Sequence, residues 1–200
     1  MPFLCLAIFA ISAVADWVAV TQEQTRVEYV AKPAALAALI GYAATAPDPS
    51  AGLVIALVLS LLGDVYLMLP ADLFAAGLGS FLLAHVAYIA EFDATWLARL
   101  AWWLVVLAAS YPVARRIVRA IDDPTLRPAV VVYMATIGLM VASALASGSL
   151  LAAGGAILFF VSDAIIAWDR FVRKLSWARP AIMVTYHVGQ LGLVLALRSG

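Results

Sequence analysis

Two aspartates lie in the middle of strongly apolar segments, Asp64 in VLSLLGDVYLML and Asp163 in AILFFVSDAIIAW. A carboxylate surrounded by hydrocarbon is costly, so such residues usually face a polar cavity or a partner and are candidates for function. Two carboxyls at one site can have different catalytic roles. One donates a proton as the general acid, while its ionised neighbour stabilises positive charge or activates water. The pair therefore predicts a shared site with the carboxyls within about 10 Å of each other.

The same carboxyls also have a structural interpretation. Asp64 or Asp163 can bond to Ser60, to Ser162 or to tyrosines on neighbouring helices without doing any chemistry. The cost of placing a carboxylate in a membrane favours the functional interpretation, since such residues are retained mainly where they are used.

The elements that hold these residues follow from the composition. Hydrophobic residues make up 66% of the 200 residues, charged residues 12%, and the mean hydropathy is +1.05. A membrane-spanning helix needs about 20 mostly apolar residues. The chain divides into eight such stretches: 2–20, 32–46, 52–69, 73–91, 98–118, 128–146, 149–169 and 180–197. The sequence thus predicts an all-α polytopic membrane protein, a bundle of eight transmembrane helices in a single domain over residues 1–200.

Basic residues indicate how this bundle is oriented. With eight spans, one side of the membrane receives ten of the twelve Lys and Arg residues: Arg26, Lys32, Arg115, Arg116, Arg119, Arg127, Arg170, Arg173, Lys174 and Arg179. The other side receives Arg99 and Arg198. Basic loops stay in the cytoplasm. The split predicts a multi-pass protein of the cell membrane with both termini outside the cytoplasm, and the first stretch, which lacks a basic n-region, is expected to be a retained helix.

This orientation places the polar residues by depth. Asp16, Asp64 and Asp163 all fall roughly 6–9 Å inside the cytoplasmic boundary, at 1.5 Å per helical residue. Other polar side chains in the same half of the membrane are Lys32, Tyr186 and His187. His85 falls near the midplane, where it is expected to form the floor of a pocket open to the cytoplasmic leaflet.

Residues 52–91 and 149–197 form a possible weak internal repeat. In each, an Asp-bearing helix is followed by a short turn and a helix that carries His and Tyr, in AHVAYI and in TYHVGQ. Repeats in membrane proteins commonly build a site at their interface. The repetition therefore agrees with one site that uses both aspartates.

Several motifs together resemble a known family. They are Lys32-Pro33, LLGD with a following Tyr-Leu, Phe74, Gly77-Leu78, FLLAHVAYI, FFVSDAIIAWDRF and TYHVGQ with Tyr186 and Gln190. In order and spacing they resemble the YhhN-like lysoplasmalogenase family of eight-helix membrane proteins. The resemblance implies hydrolysis of the vinyl ether bond of lysoplasmalogens to a fatty aldehyde and a glycerophospho-alcohol, with Asp64 and Asp163 as the catalytic pair. Other members often carry Tyr-Tyr where this chain has Tyr186-His187, so the role of His187 is left open.

The remaining polar residues are candidates for binding a lysophospholipid substrate: Asp16, Lys32, His85, Tyr88, Tyr186, His187 and Gln190. Each also has a simpler interpretation. Asp16 can pair with Lys32, Lys32 can pair with an aspartate or extend to the interface, and buried histidines more often pack and hydrogen-bond than act as bases.

Two alternatives remain open at this stage. Asp64, Asp163, His85 and His187 have the donor types of a zinc site, although no short metal-binding motif joins them. A small proton-coupled transporter would also need buried carboxylates. The favoured prediction is an enzyme without a cofactor or metal, whose partners are its lysophospholipid substrate and membrane lipids. Its balanced charge argues against nucleic acid, and the sequence does not determine the oligomeric state.

Overall fold

The computed structural model describes residues 1–198, and this part of the chain is helical, without a β-strand. Its eight long helices are α1 (Pro2–Thr21), α2 (Thr25–Ala44), α3 (Ala51–Met68), α4 (Phe74–Glu91), α5 (Trp96–Arg119), α6 (Leu126–Ala146), α7 (Leu150–Ala167) and α8 (Ala178–Arg198). A π-helical turn, Trp168–Val172, follows α7 directly. The predicted all-α class and the number of helices are confirmed.

Among the described residues, seven of these helices are long and apolar enough to cross a membrane. Large apolar side chains also remain exposed at mid-helix, such as Leu104 and Val105 of α5, which are 58% and 54% exposed. Hydrocarbon is the medium that suits such a surface. The chain is a multi-pass membrane protein. The helix outside this set is α2, and its crossing of the membrane stays a prediction, as do the sides of the two termini.

The start of α2 differs from the sequence-based prediction. The span was predicted to open at Lys32-Pro33, where the apolar stretch 32–46 begins. In the structure α2 already begins at Thr25, after a tight turn in which Glu23 has a φ of 57°. Pro33 therefore lies inside the helix, where it removes the N–H that would bond the Tyr29 carbonyl. As a consequence, Lys32 lies two turns inside α2 instead of at its end.

The chain divides into two compact units, each described by itself. Unit one comprises Met1–Glu91 together with the chain end from Val194, and its helices pack in order, α1 on α2, α2 on α3 and α3 on α4. Unit two comprises Phe92–Leu193, in which α5 packs on α6 and α6 on α7. The single-domain organisation and the internal repeat stay predictions.

Polar side chains begin several helices. Ser50, Thr95 and Ser149 precede α3, α5 and α7, and each accepts a hydrogen bond from a backbone N–H of the first turn. These bonds satisfy donors that have no partner inside the helix. In the loop before α6, hydrogen bonds from the Thr125 side chain and backbone lower the pKa of the exposed Asp123 carboxyl. The short polar loops thus define where the apolar helices start.

Glycines bring α7 and α8 into backbone contact within unit two. A Cβ at Gly155 would lie 2.7 Å from the Leu193 nitrogen, and one at Gly189 would lie 2.8 Å from the Phe159 nitrogen. Gly192 is equally close, since its Cβ would be 2.9 Å from the Gly155 Cα. Small residues permit such approach in membranes, where helix association depends on close packing. The contact fixes α8 against the helix that carries Asp163.

The glycine contact predicts a large difference between two neighbouring substitutions. Gly155→Ala should lower the free energy of unfolding by about 1–3 kcal/mol, because the new methyl group meets backbone that cannot move aside. Gly154→Ala is the matched control, since within the described chain nothing lies within 4 Å of its Cβ, and it should be neutral or stabilising by up to about 1 kcal/mol. Denaturant unfolding of the two variants in detergent measures this difference, and equal stabilities would contradict the contact.

Candidate active site

A buried ion pair lies at the centre of the first candidate cluster. The Lys32 Nζ on α2 is 2.9 Å from the Asp64 Oδ1 on α3, and the two side chains are 6% and 2% exposed. Charges removed from water are tolerated when they are paired. The alternative in which Lys32 pairs with an aspartate is therefore confirmed, and the partner observed here is Asp64.

Helix α4 supplies the polar and aromatic wall of this cluster. Gly63 lies so close to the Phe81 ring that an added Cβ would be 2.6 Å from it. His85 and Tyr88 follow Phe81 at helical spacing on the same face, both are fully buried, and the Tyr88 hydroxyl lies beside Ser60 of α3. Within unit one, Lys32 of α2 thus contacts Asp64 of α3, and Tyr88 of α4 lies beside Ser60, one helical turn before Asp64.

Asp16 belongs to the same unit and is fully buried in α1. Its position one to two turns before the end of α1 agrees with the predicted depth. A fully buried carboxyl inside an apolar helix is retained for a specific role. We keep Asp16 as a candidate residue of the unit-one cluster.

Asp163 lies at the centre of the unit-two cluster and is half-buried. The Tyr133 hydroxyl of α6 donates a short hydrogen bond to Asp163 Oδ2. The Ser162 hydroxyl lies 3.3 Å from Asp163 Oδ1, and it also donates to the Phe159 carbonyl at 2.7 Å. Neutral hydroxyl groups therefore contact both oxygens of this carboxyl, in contrast to the ammonium that contacts Asp64.

Three predicted residues of α8 contact one another, and one of them packs on Phe159 of α7. Gln190 Nε2 donates to the Tyr186 hydroxyl at 3.3 Å, and the Tyr186 ring meets the Phe159 ring edge-on with centroids 5.2 Å apart. His187, which is fully buried, lies against Tyr186 with ring centroids 5.5 Å apart. Phe159 precedes Asp163 by one helical turn on the same face of α7. Tyr186, His187 and Gln190 therefore belong to the same unit as Asp163, and Tyr186 contacts α7 one helical turn before it.

Tyr133 is the residue of this cluster that sequence reasoning missed. It sits in LRPAVVVYMATIG, an apolar segment with no other obvious functional group. Its depth in the membrane could have indicated it. Tyr133 lies about two turns into α6 from the end predicted to be cytoplasmic, which is close to the depth predicted for Asp163. Depth alone does not say which tyrosine faces which aspartate, and only the packing of α6 on α7 reveals the bond.

The two clusters belong to different units, Asp64 to unit one and Asp163 to unit two. The predicted separation of at most about 10 Å between the two carboxyls therefore stays a prediction. The zinc alternative has no cluster to support it, since residues 1–198 contain no group of three or more His, Cys, Asp and Glu side chains arranged to hold a metal ion.

Comparison with known proteins identifies the family that carries these clusters. The model of the YhhN family matches residues 27–197. The chain belongs to the YhhN family. The match includes six helices that contribute to the two clusters with Asp64 and Asp163, from the Lys32 segment of α2 to the Gln190 segment of α8, whereas Asp16 of α1 precedes it. No solved structure was found to match the chain.

Curated relatives are similar over most of the chain. The human lysoplasmalogenase TMEM86B is 36% identical over 145 residues, which cover 72% of this chain and 62% of the human protein. Mouse lysoplasmalogenase TMEM86B is 34% identical over the same coverage, and bovine lysoplasmalogenase TMEM86A is 32% identical over 78% of this chain and 69% of its own length. The chain thus spans less than two thirds of the human and mouse proteins.

The buried ion pair predicts a strong dependence of stability on Lys32. Lys32→Met should lower the free energy of unfolding by about 3–5 kcal/mol, because it leaves a buried carboxylate without its partner. The control is Lys174→Met, which removes an ion pair of the same length, 2.9 Å, whose lysine is 83% exposed, and it should cost no more than about 1 kcal/mol. Denaturant unfolding in detergent compares the two.

A double variant completes this test. Lys32→Met combined with Asp64→Leu removes both charges, so it should be clearly more stable than the sum of the two single losses. Additive losses would show that the two side chains do not interact.

Proposed function

We propose that this chain is a membrane hydrolase that cleaves the vinyl ether bond of lysoplasmalogen-type lysophospholipids. The products are a fatty aldehyde and a glycerophospho-alcohol. Membership of the YhhN family and similarity to relatives named lysoplasmalogenase support this substrate class. The matched region includes both Asp64 and Asp163.

The observation that carries the proposal is the difference between the partners of the two carboxyls. Asp64 is engaged by the Lys32 ammonium in a buried ion pair. Asp163 is contacted by the hydroxyl groups of Tyr133 and Ser162. A carboxyl that an ammonium holds is suited to act as the anion, whereas one in contact with neutral hydroxyls can carry and deliver a proton. We therefore assign Asp163 as the general acid and Asp64 as the anion of the reaction.

Vinyl ether hydrolysis needs both roles. A proton from the Asp163 carboxyl adds to the β-carbon of the vinyl ether, and the electrons of the C=C bond and an oxygen lone pair form an oxocarbenium ion. The Asp64 carboxylate stabilises this cation and assists attack of water on the α-carbon. The resulting hemiacetal breaks its C–O bond to release aldehyde and alcohol, and one water is consumed in total. General acid–base assistance of this kind contributes about 10²–10⁴-fold.

The other candidate residues bind and orient the substrate in this proposal. Lys32 has the role of holding Asp64 in place, since its ammonium is already engaged by that carboxylate. The groups assigned to the substrate or to the attacking water are Asp16, His85, Tyr88, Tyr186, His187 and Gln190. We further propose that the protein resides in the cell membrane with both termini outside the cytoplasm, so that the aspartates lie in the cytoplasmic leaflet.

Replacement of either aspartate tests the catalytic roles. Asp64→Asn and Asp163→Asn should each lower the turnover of lysoplasmalogen by at least about 100-fold, because asparagine retains the shape of the side chain but supplies neither acid nor anion. The exposed loop residue Asp122 provides the control, and Asp122→Asn should keep full turnover. Release of aldehyde by purified protein in lipid nanodiscs is the measurement.

Three outcomes would overturn the proposal. Near-normal turnover of Asp64→Asn or Asp163→Asn would exclude that carboxyl from the reaction. Loss of activity on chelation, restored by stoichiometric zinc, would establish metal chemistry in place of the carboxylate mechanism. Proton-coupled uptake without any hydrolysis would identify a transporter.

The Tyr133 hydroxyl is expected to position Asp163. Tyr133→Phe should lower kcat about tenfold with little change in KM, and it should shift the alkaline limb of the pH–rate profile, because that limb reports loss of the proton from Asp163 and the hydrogen bond to this proton donor is lost. Tyr111→Phe, at a residue of α5 that is 61% exposed, is the control for losing a tyrosine hydroxyl. A fall in protein stability with an unchanged pH profile would mean that Tyr133 is only structural.

A further inference from the structure

Unit two contains an open groove at the end of α7 that the proposed reaction does not use. Its volume is about 310 Å³. The apolar wall is formed by Val113 of α5 and by Val161 and Ile165 of α7, and it continues to the Trp168 ring of the π-helical turn. Arg173 and Trp177, from the connection to α8, form the polar end.

The groove is separate from the Asp163 cluster. Val161, Ala164, Ile165 and Trp168 follow one another at spacings of three and four residues, so they share one face of the helix. Successive residues of a helix are turned by about 100°. Asp163 therefore points to nearly the opposite side of α7, where it meets Tyr133 of α6. A ligand in the groove contacts a different surface from one at the proposed catalytic carboxyl.

Positive charge gathers at one end of this groove. Arg173 lines it, and the Arg116 guanidinium lies over the Trp168 ring, 5.3 Å from its centroid. The acid beside them, Asp169, is bonded to Lys174 and to the Leu175 backbone. Arg116 and Arg173 are both exposed. The groove thus combines an apolar wall, the rings of Trp168 and Trp177 and the guanidinium group of Arg173. A second guanidinium group, that of Arg116, lies over the Trp168 ring.

We propose that this groove binds a phospholipid with a net negative head group, such as phosphatidylglycerol. One acyl chain lies along Val113, Val161 and Ile165, and the phosphate lies between the guanidinium groups of Arg173 and Arg116. Guanidinium groups bind phosphate through paired hydrogen bonds. Tryptophan rings are favoured at the depth of the head groups, where one edge is apolar and the other wet. The site binds a lipid of the surrounding membrane and is independent of the proposed hydrolysis.

Native mass spectrometry of the full-length protein in detergent tests this site. Phosphatidylglycerol and phosphatidylcholine with identical acyl chains are titrated separately, and the first binding constant of each is compared. Each basic residue near an anionic head group contributes about fivefold in affinity. The wild type should therefore prefer phosphatidylglycerol at least about fivefold, and Arg173→Gln and Arg116→Gln together should reduce this preference to about twofold or less.

Two further variants test the basic end and the apolar wall of the groove separately. Arg115→Gln is the matched control, because this exposed neighbour neither lines the groove nor contacts Trp168, and the preference should persist. Ala164→Trp fills the apolar wall, so it should weaken both lipids together while leaving the thermal stability unchanged.

Several outcomes would overturn the proposal. They are equal binding of the two lipids to the wild type, the same loss of preference in Arg115→Gln as in the double variant, and unchanged lipid binding in a folded Ala164→Trp protein. A last comparison uses glycerol 3-phosphate as a competitor. Displacement of the lipid at equal concentration would assign the site to a free phosphate compound instead of a membrane lipid.

Discussion

Hydrocarbon cannot hydrogen-bond, and this constraint governs every polar side chain inside the apolar helices of this protein. Each one must obtain its partner from the protein, because the surrounding lipid supplies none. The Lys32–Asp64 ion pair and the Tyr133–Asp163 hydrogen bond both satisfy that demand. Both also join neighbouring helices, α2 to α3 and α6 to α7. The residues that are most costly to bury are therefore the ones that specify how adjacent helices face each other.

Lipid also removes the usual driving force for packing, since a leucine gains little by leaving a lipid tail for another leucine. The helices near the aspartates accordingly approach through glycine. Gly155, Gly189 and Gly192 bring the backbones of α7 and α8 together, and Gly63 meets the Phe81 ring one residue before Asp64. Close contact of this kind leaves little freedom in the angle between helices. It fixes α4 against the helix that carries Asp64 and α8 against the helix that carries Asp163.

The two aspartates have similar sequence surroundings and different structural ones. Each lies near the end of an apolar helix, yet Asp64 faces an ammonium and Asp163 faces hydroxyl groups. Environment assigns unlike roles to chemically identical carboxyls in many acid–base enzymes. This difference supports a division into an anion and a proton donor. At the basic groove beside Trp168 the charged groups instead lie near helix ends, and both Arg116 and Arg173 are exposed.

The helical class, the eight helices and the placing of Asp64 and Asp163 inside apolar helices were already contained in the sequence. Composition, the length of apolar runs and the cost of a buried charge are local properties that one chain displays without a structure. The predicted start of α2 was wrong, because it was set where the apolar stretch 32–46 begins, whereas the helix also includes the more polar residues 25–31. The sequence also could not predict which side chains contact the two aspartates. Whether Lys32 bonds Asp64, and whether Tyr133 faces Asp163, depends on how the helices are rotated about their axes, and only tertiary packing decides that rotation.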